Sequence, residues 1–196
     1  MSATLTPPRP PRDDIRLLTA ADLAALPTRL PSGDVRYELD DGVLVTMPPP
    51  GDIHAVRQVR IIRHLCDAED AGLGKVRGEV GIMLRRNPDR VVGADAAFIL
   101  PPSLPVRRTP EGYLETIPEI VIEIRSKNDS RPSIVGKADE YFRAGVREVW
   151  VLDSDARTVA THIHDGSVRI VRDTDTFASD LLPGFAVPVA RLFVGE

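Results

Sequence analysis

Glu119-Ile120-Val121-Ile122-Glu123-Ile124-Arg125-Ser126 is the stretch on which the fold turns. Its apolar run is dense enough to predict a strand covered on both faces. Glu123 interrupts that run, and an ionised carboxylate is expensive to bury without a partner. Just downstream, Asp129 and Ser130 ahead of Pro132 signal a helix start, and Gly145 closes that helix. A further buried strand, Glu148–Asp153, follows at once.

Upstream, two more strands are predicted, about Lys75–Arg85 and Val91–Leu100. Before them Ala55, Val59, Ile62 and Cys66 recur at spacings of four, three and four, which predicts a helix over Asp52–Ala71. Asp52 is read as its cap and Gly72 as its stop. Asp40-Asp41-Gly42 is a turn signal between the β-prone runs Arg36–Leu39 and Val43–Thr46, so a hairpin is expected there, ended by Pro48, Pro49, Pro50 and Gly51. Thr19 caps a short helix, Ala20–Leu26, that Pro27 ends. Towards the other end, Val159–Val171 reads as a hairpin around Asp165-Gly166, and Pro183-Gly184 as a turn in a mixed tail. Helix, three strands, helix and strand in this order imply an α/β core with a mixed sheet.

The chain has 196 residues, 42% hydrophobic and 28% charged, enough to bury a core without disulfides or a structural metal. Residues 1–14, with Pro7, Pro8, Pro10 and Pro11, are expected to be a disordered tail, and residues 15–196 one domain. Cys66 is the only cysteine, and the four histidines form no ligand-spaced cluster with it, which argues against a zinc site. The apolar runs are too short to span a bilayer and no signal peptide is read at the start, so a cytoplasmic location is expected. A net charge of −4 does not advertise nucleic-acid binding, though a cleft built on acidic metal ligands lowers the charge by itself.

Asp95 stands among small residues, Gly93, Ala94, Ala96 and Ala97, that leave room for something to approach. On neighbouring strands Asp95 and Glu123 can point to one side of the sheet and share a Mg²⁺ ion, which takes a few carboxylate oxygens and leaves its other positions to water and phosphate. The competing reading pairs Glu123 with an arginine and makes Asp95 a turn cap. On the second helix, Ile134, Val135, Ala138, Tyr141 and Phe142 form an apolar stripe, with Asp139, Glu140 and Arg143 towards solvent. Lys137 lies at the stripe's edge, where it either projects its ammonium towards the carboxylates or remains a surface lysine with a buried stem. Glu38 is a further acid in an apolar setting: a metal ligand, or the partner of Arg36 or Lys137. His54 either contacts a phosphate or metal-bound water, or is a satisfied surface residue. Tyr141 and Trp150 are read as core. Arg85, Arg86, Arg107, Arg108 and Arg131 are either DNA-backbone contacts or ordinary solvated charges.

Several segments resemble the Uma-type restriction endonucleases of the PD-(D/E)XK nuclease superfamily. They are Tyr37-Glu38-Leu39-Asp40-Asp41-Gly42, Gly93-Ala94-Asp95-Ala96-Ala97-Phe98, Val121-Ile122-Glu123-Ile124-Arg125-Ser126, and Lys137 with Tyr141 and Ala144–Asp153. Leu182-Pro183-Gly184-Phe185 and Leu192-Phe193 continue the likeness, which spans about residues 17–194. The resemblance implies a restriction-endonuclease-like αβββαβ core with a central mixed sheet flanked by helices, preceded by the hairpin. It also implies Mg²⁺-dependent (or Mn²⁺-dependent) hydrolysis of DNA and a homodimer. Asp95 and Glu123 would be the metal-binding acids, Glu38 the acid of the early hairpin, and Lys137 a helix lysine in place of the usual strand lysine. Ala94 stands where the superfamily name has proline, and Arg125 where it has lysine. An arginine cannot become a neutral base, so Lys137, Arg125 and Lys127 all stand as candidates for the catalytic cation. Two other functions suit the same residues: a catalytically silent DNA-binding or assembly module, and a metal-dependent hydrolase of small phosphoesters.

Overall fold

The apolar run around Ile122 becomes the centre of a sheet whose neighbours come from distant parts of the chain. The computed structural model describes residues 16–31, 33–105, 112–126 and 129–194. The proline-rich tail 1–14, Arg107, Arg108 and Lys127 lie outside the described residues. In chain order the elements begin with α1 (Ala20–Ala24), β1 (Arg29–Leu30), β2 (Gly33–Asp34), β3 (Arg36–Asp40), β4 (Val43–Met47) and α2 (Asp52–Asp70). The centre is built from β5 (Lys75–Arg85), β6 (Arg90–Ile99), β7 (Ile120–Ile124), α3 (Arg131–Ala144) and β8 (Glu148–Asp153). β9 (Thr158–Ile163), β10 (Val168–Arg172), β11 (Thr176–Ala178), β12 (Ala186–Pro188) and α4 (Val189–Leu192) complete it.

Local signals account for most of these boundaries. Thr19 and Asp22 form a reciprocal capping box on α1. Asp41 and Gly42, with φ of 54° and 79°, make the two-residue turn of the β3–β4 hairpin. Ser130 caps α3 by accepting from the Ser133 N–H, Pro132 sits in its first turn, and Gly145 ends it in the left-handed conformation.

The main sheet has eight strands in the order β10-β9-β8-β7-β6-β3-β4, with β5 on the other edge of β6. β7 and β8 run parallel, connected through α3, and the remaining pairs are antiparallel. The edge of β6 away from β5 is divided between two strands. β7 pairs with Ala96–Phe98, and β3 meets Val91 through Leu39. Between these contacts, Val92–Asp95 have no ladder partner on that edge among the described residues. The gap holds the candidate site.

The two faces of the sheet carry separate cores. On one, Ile61, Leu65 and Ala68 of α2 cover Phe98, Ile120, Ile122, Ile124, Trp150 and Leu152. Trp150 is stacked on Phe185 and meets Phe177 edge-on, so its reading as core holds. On the other face, Ala138 and Tyr141 of α3 lie on Val92, Ala94, Ala97, Val121, Val149 and Val151. Strand alternation sends Ile120, Ile122 and Ile124 to the α2 side and Val121 to the α3 side. In β6 this alternation reverses: Val92 and Ala94 belong to the α3 core, Ala96 and Phe98 to the α2 core. Asp95 is the residue at the reversal. Opposite it the β5 ladder steps from Gly78 to Val80 and skips Glu79, whose φ of 43° marks a local kink.

Three helical readings are corrected. Of the α2 stripe Ala55, Val59, Ile62 and Cys66, Ile62 is half-buried against the core, but Val59 is 66% exposed and Cys66 is exposed, while Arg57, Gln58, Ile61, Leu65 and Ala68 are the buried residues. A hydropathy pattern discounts a face that buries an arginine and a glutamine, so the apolar count favoured the wrong side. The α2 cap is Gly51, with no side-chain hydrogen bond, and Asp52 is the first helical residue. On α3, Val135 is 47% exposed, and Glu140 binds Arg90 at 2.7–2.9 Å instead of facing solvent alone. Truncation separates the two α2 faces. Ile61→Ala should cost about 2–5 kcal/mol in chemical denaturation, and Val59→Ala should stay within about 0.5 kcal/mol of wild type.

Candidate active site

The unpaired stretch of β6 leaves backbone groups that need partners, and charged side chains supply them. Gly93 is exposed, and its N–H donates to Glu38 Oε1 at 2.9 Å while its carbonyl accepts from Lys137 Nζ at 3.3 Å. A Cβ at this position would lie 3.3 Å from Glu38 Oε1, so the close approach favours glycine. Two residues on, Asp95 Oδ2 accepts the Ile124 N–H of β7, at 2.7 Å, in place of a backbone carbonyl. The pairs Ala96↔Ile122 and Ala97↔Val121 place Asp95 and Glu123 opposite each other when the register is extended by one residue. Asp95 therefore stands at the fork where β6 and β7 part.

Glu123 points to the α3 side, where two α3 residues one turn apart reach it. Lys137 Nζ lies 2.8 Å from Oε2, and the Tyr141 hydroxyl donates to Oε1 at 2.6 Å. Burial pushes the Glu123 carboxyl above its ordinary pKa, with Lys137 opposing the rise and the Asp95 charge adding to it. Burial alone would depress the Lys137 ammonium, but Glu123, Glu38 and Asp95 outweigh it and hold its pKa above the usual lysine value. Burial and the neighbouring carboxylates raise the Tyr141 phenol well above its ordinary value, which keeps it protonated as a donor. Tyr141 is core by burial but a site residue by its hydroxyl. Its place one turn after Lys137 was the available signal.

Asp95 meets α2. His54 Nε2 is 3.1 Å from Asp95 Oδ2, with both side chains largely buried, so His54 is neither a satisfied surface residue nor a bystander. The hydrogen bond to Asp95 raises the His54 pKa, against the effect of burial. Its Nδ1 is buried without a partner among the described residues. Gln58, which the sequence did not single out, donates Nε2 to the Asp95 carbonyl at 2.8 Å. Asp95 caps no turn, and Glu123 pairs with a lysine and a tyrosine, not an arginine.

Glu38 joins neither Arg36 nor Lys137 in a hydrogen bond. Its nearest cation is Arg90, 4.0 Å from Oε2, and Arg36 turns to Glu79 at 3.3 Å. Arg125 Nη1 binds Asp153 Oδ2 at 2.5 Å, which draws it from the carboxylate pair and weakens its case as the catalytic cation. Arg85 is paired with Asp41, Arg86 with Glu115 at 2.6 Å, and Arg131 is exposed in the first turn of α3.

Among the described residues no group of three or more His, Cys, Asp or Glu side chains is placed to hold a metal ion. The available donors are the Asp95–Glu123 pair. Carboxylates opposite each other on neighbouring strands repel, and Asp95 Oδ1 makes no hydrogen bond among the described residues. Two carboxylates, Glu123 also accepting from Lys137 and Tyr141 and Asp95 keeping Oδ1 without a hydrogen bond among the described residues, are the hard donors that suit Mg²⁺, which keeps several water ligands.

The mixed sheet between α2 and α3 is that of a nuclease-type α/β fold. Residues 21–190 match the model of the family described as “Uma2: Putative restriction endonuclease”, and the chain belongs to that family. A crystal structure described as “a putative nuclease belonging to DUF820” from Anabaena variabilis is similar with a TM-score of 0.71 at 16% sequence identity, covering 90% of this chain and 97% of that one. No curated protein matches significantly. No helix among the described residues is long and apolar enough to cross a membrane.

The Tyr141 hydroxyl can be tested apart from any activity. Tyr141→Phe removes one donor from a buried carboxylate and should cost about 1.5–3 kcal/mol in denaturation with EDTA present. A variant as stable as wild type would show that Glu123 does not need the bond.

Proposed function

We propose that this chain is a metal-dependent endonuclease that hydrolyses DNA phosphodiester bonds. The observation that carries this reading is the convergence in one gap of the sheet of Asp95, Glu123 and an α3 lysine ion-paired to Glu123. Asp95 and Glu123 would hold Mg²⁺ or Mn²⁺, which when bound lowers the pKa of a water and neutralises charge on the phosphate. Lys137 is not assigned the role of base: its ammonium is ion-paired to Glu123 at 2.8 Å. Its ammonium instead orients the attacking water and stabilises charge building on the pentacovalent phosphate, a contribution of roughly 3 kcal/mol in comparable sites. Hydrolysis adds the water oxygen to phosphorus and breaks the bond to the leaving sugar oxygen; the water gives up a proton to solvent, and the leaving oxygen takes one from it. Tyr141 holds the Glu123 carboxylate by the oxygen that Lys137 does not bond. Glu38 contributes by holding the Gly93 backbone and adding charge near Lys137, not as a third ligand.

DNA as substrate accords with the family's description. Arg131 is exposed and available to its backbone, whereas Arg85 and Arg86 must first leave Asp41 and Glu115. A homodimer, carried by the family resemblance, completes the reading.

Plasmid nicking with Mg²⁺ or Mn²⁺ tests the proposal. Asp95→Ala and Glu123→Ala should each abolish cleavage while the protein stays folded, and the double variant should lose no more, because both serve one ion. Lys137→Ala should lower the rate by at least about a hundredfold with metal affinity little changed, and Arg125→Ala should cost less. Cleavage at near wild-type rate by Asp95→Ala or Glu123→Ala would refute the assigned site.

A further inference from the structure

α2 reaches the site through two side chains one helical turn apart, His54 and Gln58. Gln58 is 7% exposed, and a buried amide is costly unless its hydrogen bonds are made. The apolar packing of α2 begins at Ile61 and continues through Leu65 and Ala68, so a leucine at position 58 would extend that core at lower cost. What Gln58 does instead is donate to the Asp95 carbonyl at 2.8 Å. His54 makes its contact with the same residue, at the carboxylate.

Asp95 has particular need of such support. It sits where β6 reverses its faces, where the β5 ladder skips a residue, and just beyond the last pair with β7. A ladder on both sides normally orients a strand side chain, and here neither ladder extends to it. Three contacts replace them: Ile124 N–H and His54 Nε2 on Oδ2, and Gln58 Nε2 on the carbonyl. Together they hold one carboxylate oxygen and the backbone, while Oδ1 makes no hydrogen bond among the described residues.

We propose that His54 and Gln58 are positioning residues through which α2 aims the Asp95 carboxylate. This inference rests on the reading of Asp95 and Glu123 as the metal-binding pair. Groups that orient a metal ligand commonly change metal affinity by about 10–100-fold when removed. Both residues bear on Asp95, one at the carboxylate and one at the carbonyl, so their effect on the metal runs through Asp95.

The test measures Mn²⁺ binding by titration calorimetry on the full chain without DNA, beside melting curves in EDTA and plasmid nicking. Gln58→Leu keeps the volume and removes the donor; His54→Phe removes the ring donor; His54→Gln restores an amide that can reach Asp95. Ile61→Val, on the same helix but away from Asp95, is the control for packing. Gln58→Leu and His54→Phe should bind Mn²⁺ about 10–100-fold more weakly and lose nicking in parallel. His54→Gln should recover most of the affinity, and Ile61→Val should lower the melting temperature with affinity unchanged. Should His54→Phe fail to fold, Gln58→Leu and His54→Gln decide the matter. Wild-type affinity in Gln58→Leu, or an equal loss in Ile61→Val, would overturn the inference while leaving the metal reading intact. If wild type binds no Mn²⁺, or binds it equally well as Asp95→Ala, the metal reading falls and this inference falls with it.

Discussion

β6 cannot satisfy its backbone by strand pairing alone. Along one edge it is held by β7 near its end and by β3 near its start, and the residues between face an opening. Peptide groups without partners are costly where water does not reach them, and side chains fill several of the missing rungs. Glu38 and Lys137 do so at Gly93, and Asp95 does so for Ile124. The candidate site residues are thus part of the sheet's own hydrogen bonding, and this gap brings Glu38, Asp95, Glu123 and Lys137 to the same part of the sheet.

Charge balance follows from that placement. Three carboxylates drawn towards one gap would repel one another if left alone. Lys137 meets Glu123 directly, His54 meets Asp95, and Arg90 lies beside Glu38 while binding Glu140. Each acid has a different basic partner, supplied by a different element. Arg125, at the strand position where the superfamily pattern has lysine, has instead been drawn to Asp153 on β8. The charge it would have brought to Glu123 arrives from α3, and the helix's 3.6-residue repeat brings the Tyr141 hydroxyl to the same carboxylate.

Much of the molecule is written in short-range signals. The apolar run Ile120–Ile124 demands a covered strand; Asp41-Gly42 demands a tight turn; Ser130, Pro132 and Gly145 set the limits of α3. Each works within a few residues, through backbone sterics and capping, and so could be read without knowing what lies across the sheet. The acids Asp95 and Glu123 were visible for a related reason, since a charge in an apolar strand stands out against its neighbours. Lys137 was visible as a break at the edge of a helical stripe.

Partner choice was not local. Glu38 could have met Arg36 or Lys137, and only the β3–β6 pairing put it against Gly93 and near Arg90. The buried face of α2 was decided by what the sheet offered it, Asp95 above and Phe98 and Ile122 below, so the helix turned a polar pair inward and left Val59 out. His54, Gln58 and the Tyr141 hydroxyl took their roles in the same way. By itself the sequence determined the central strands, the hairpin turn and the limits of α3, because these depend on neighbours a few bonds away. The tertiary structure alone decided which partner each charged group received, because that depends on strand register and on residues 14 to 55 positions distant, which no local pattern encodes.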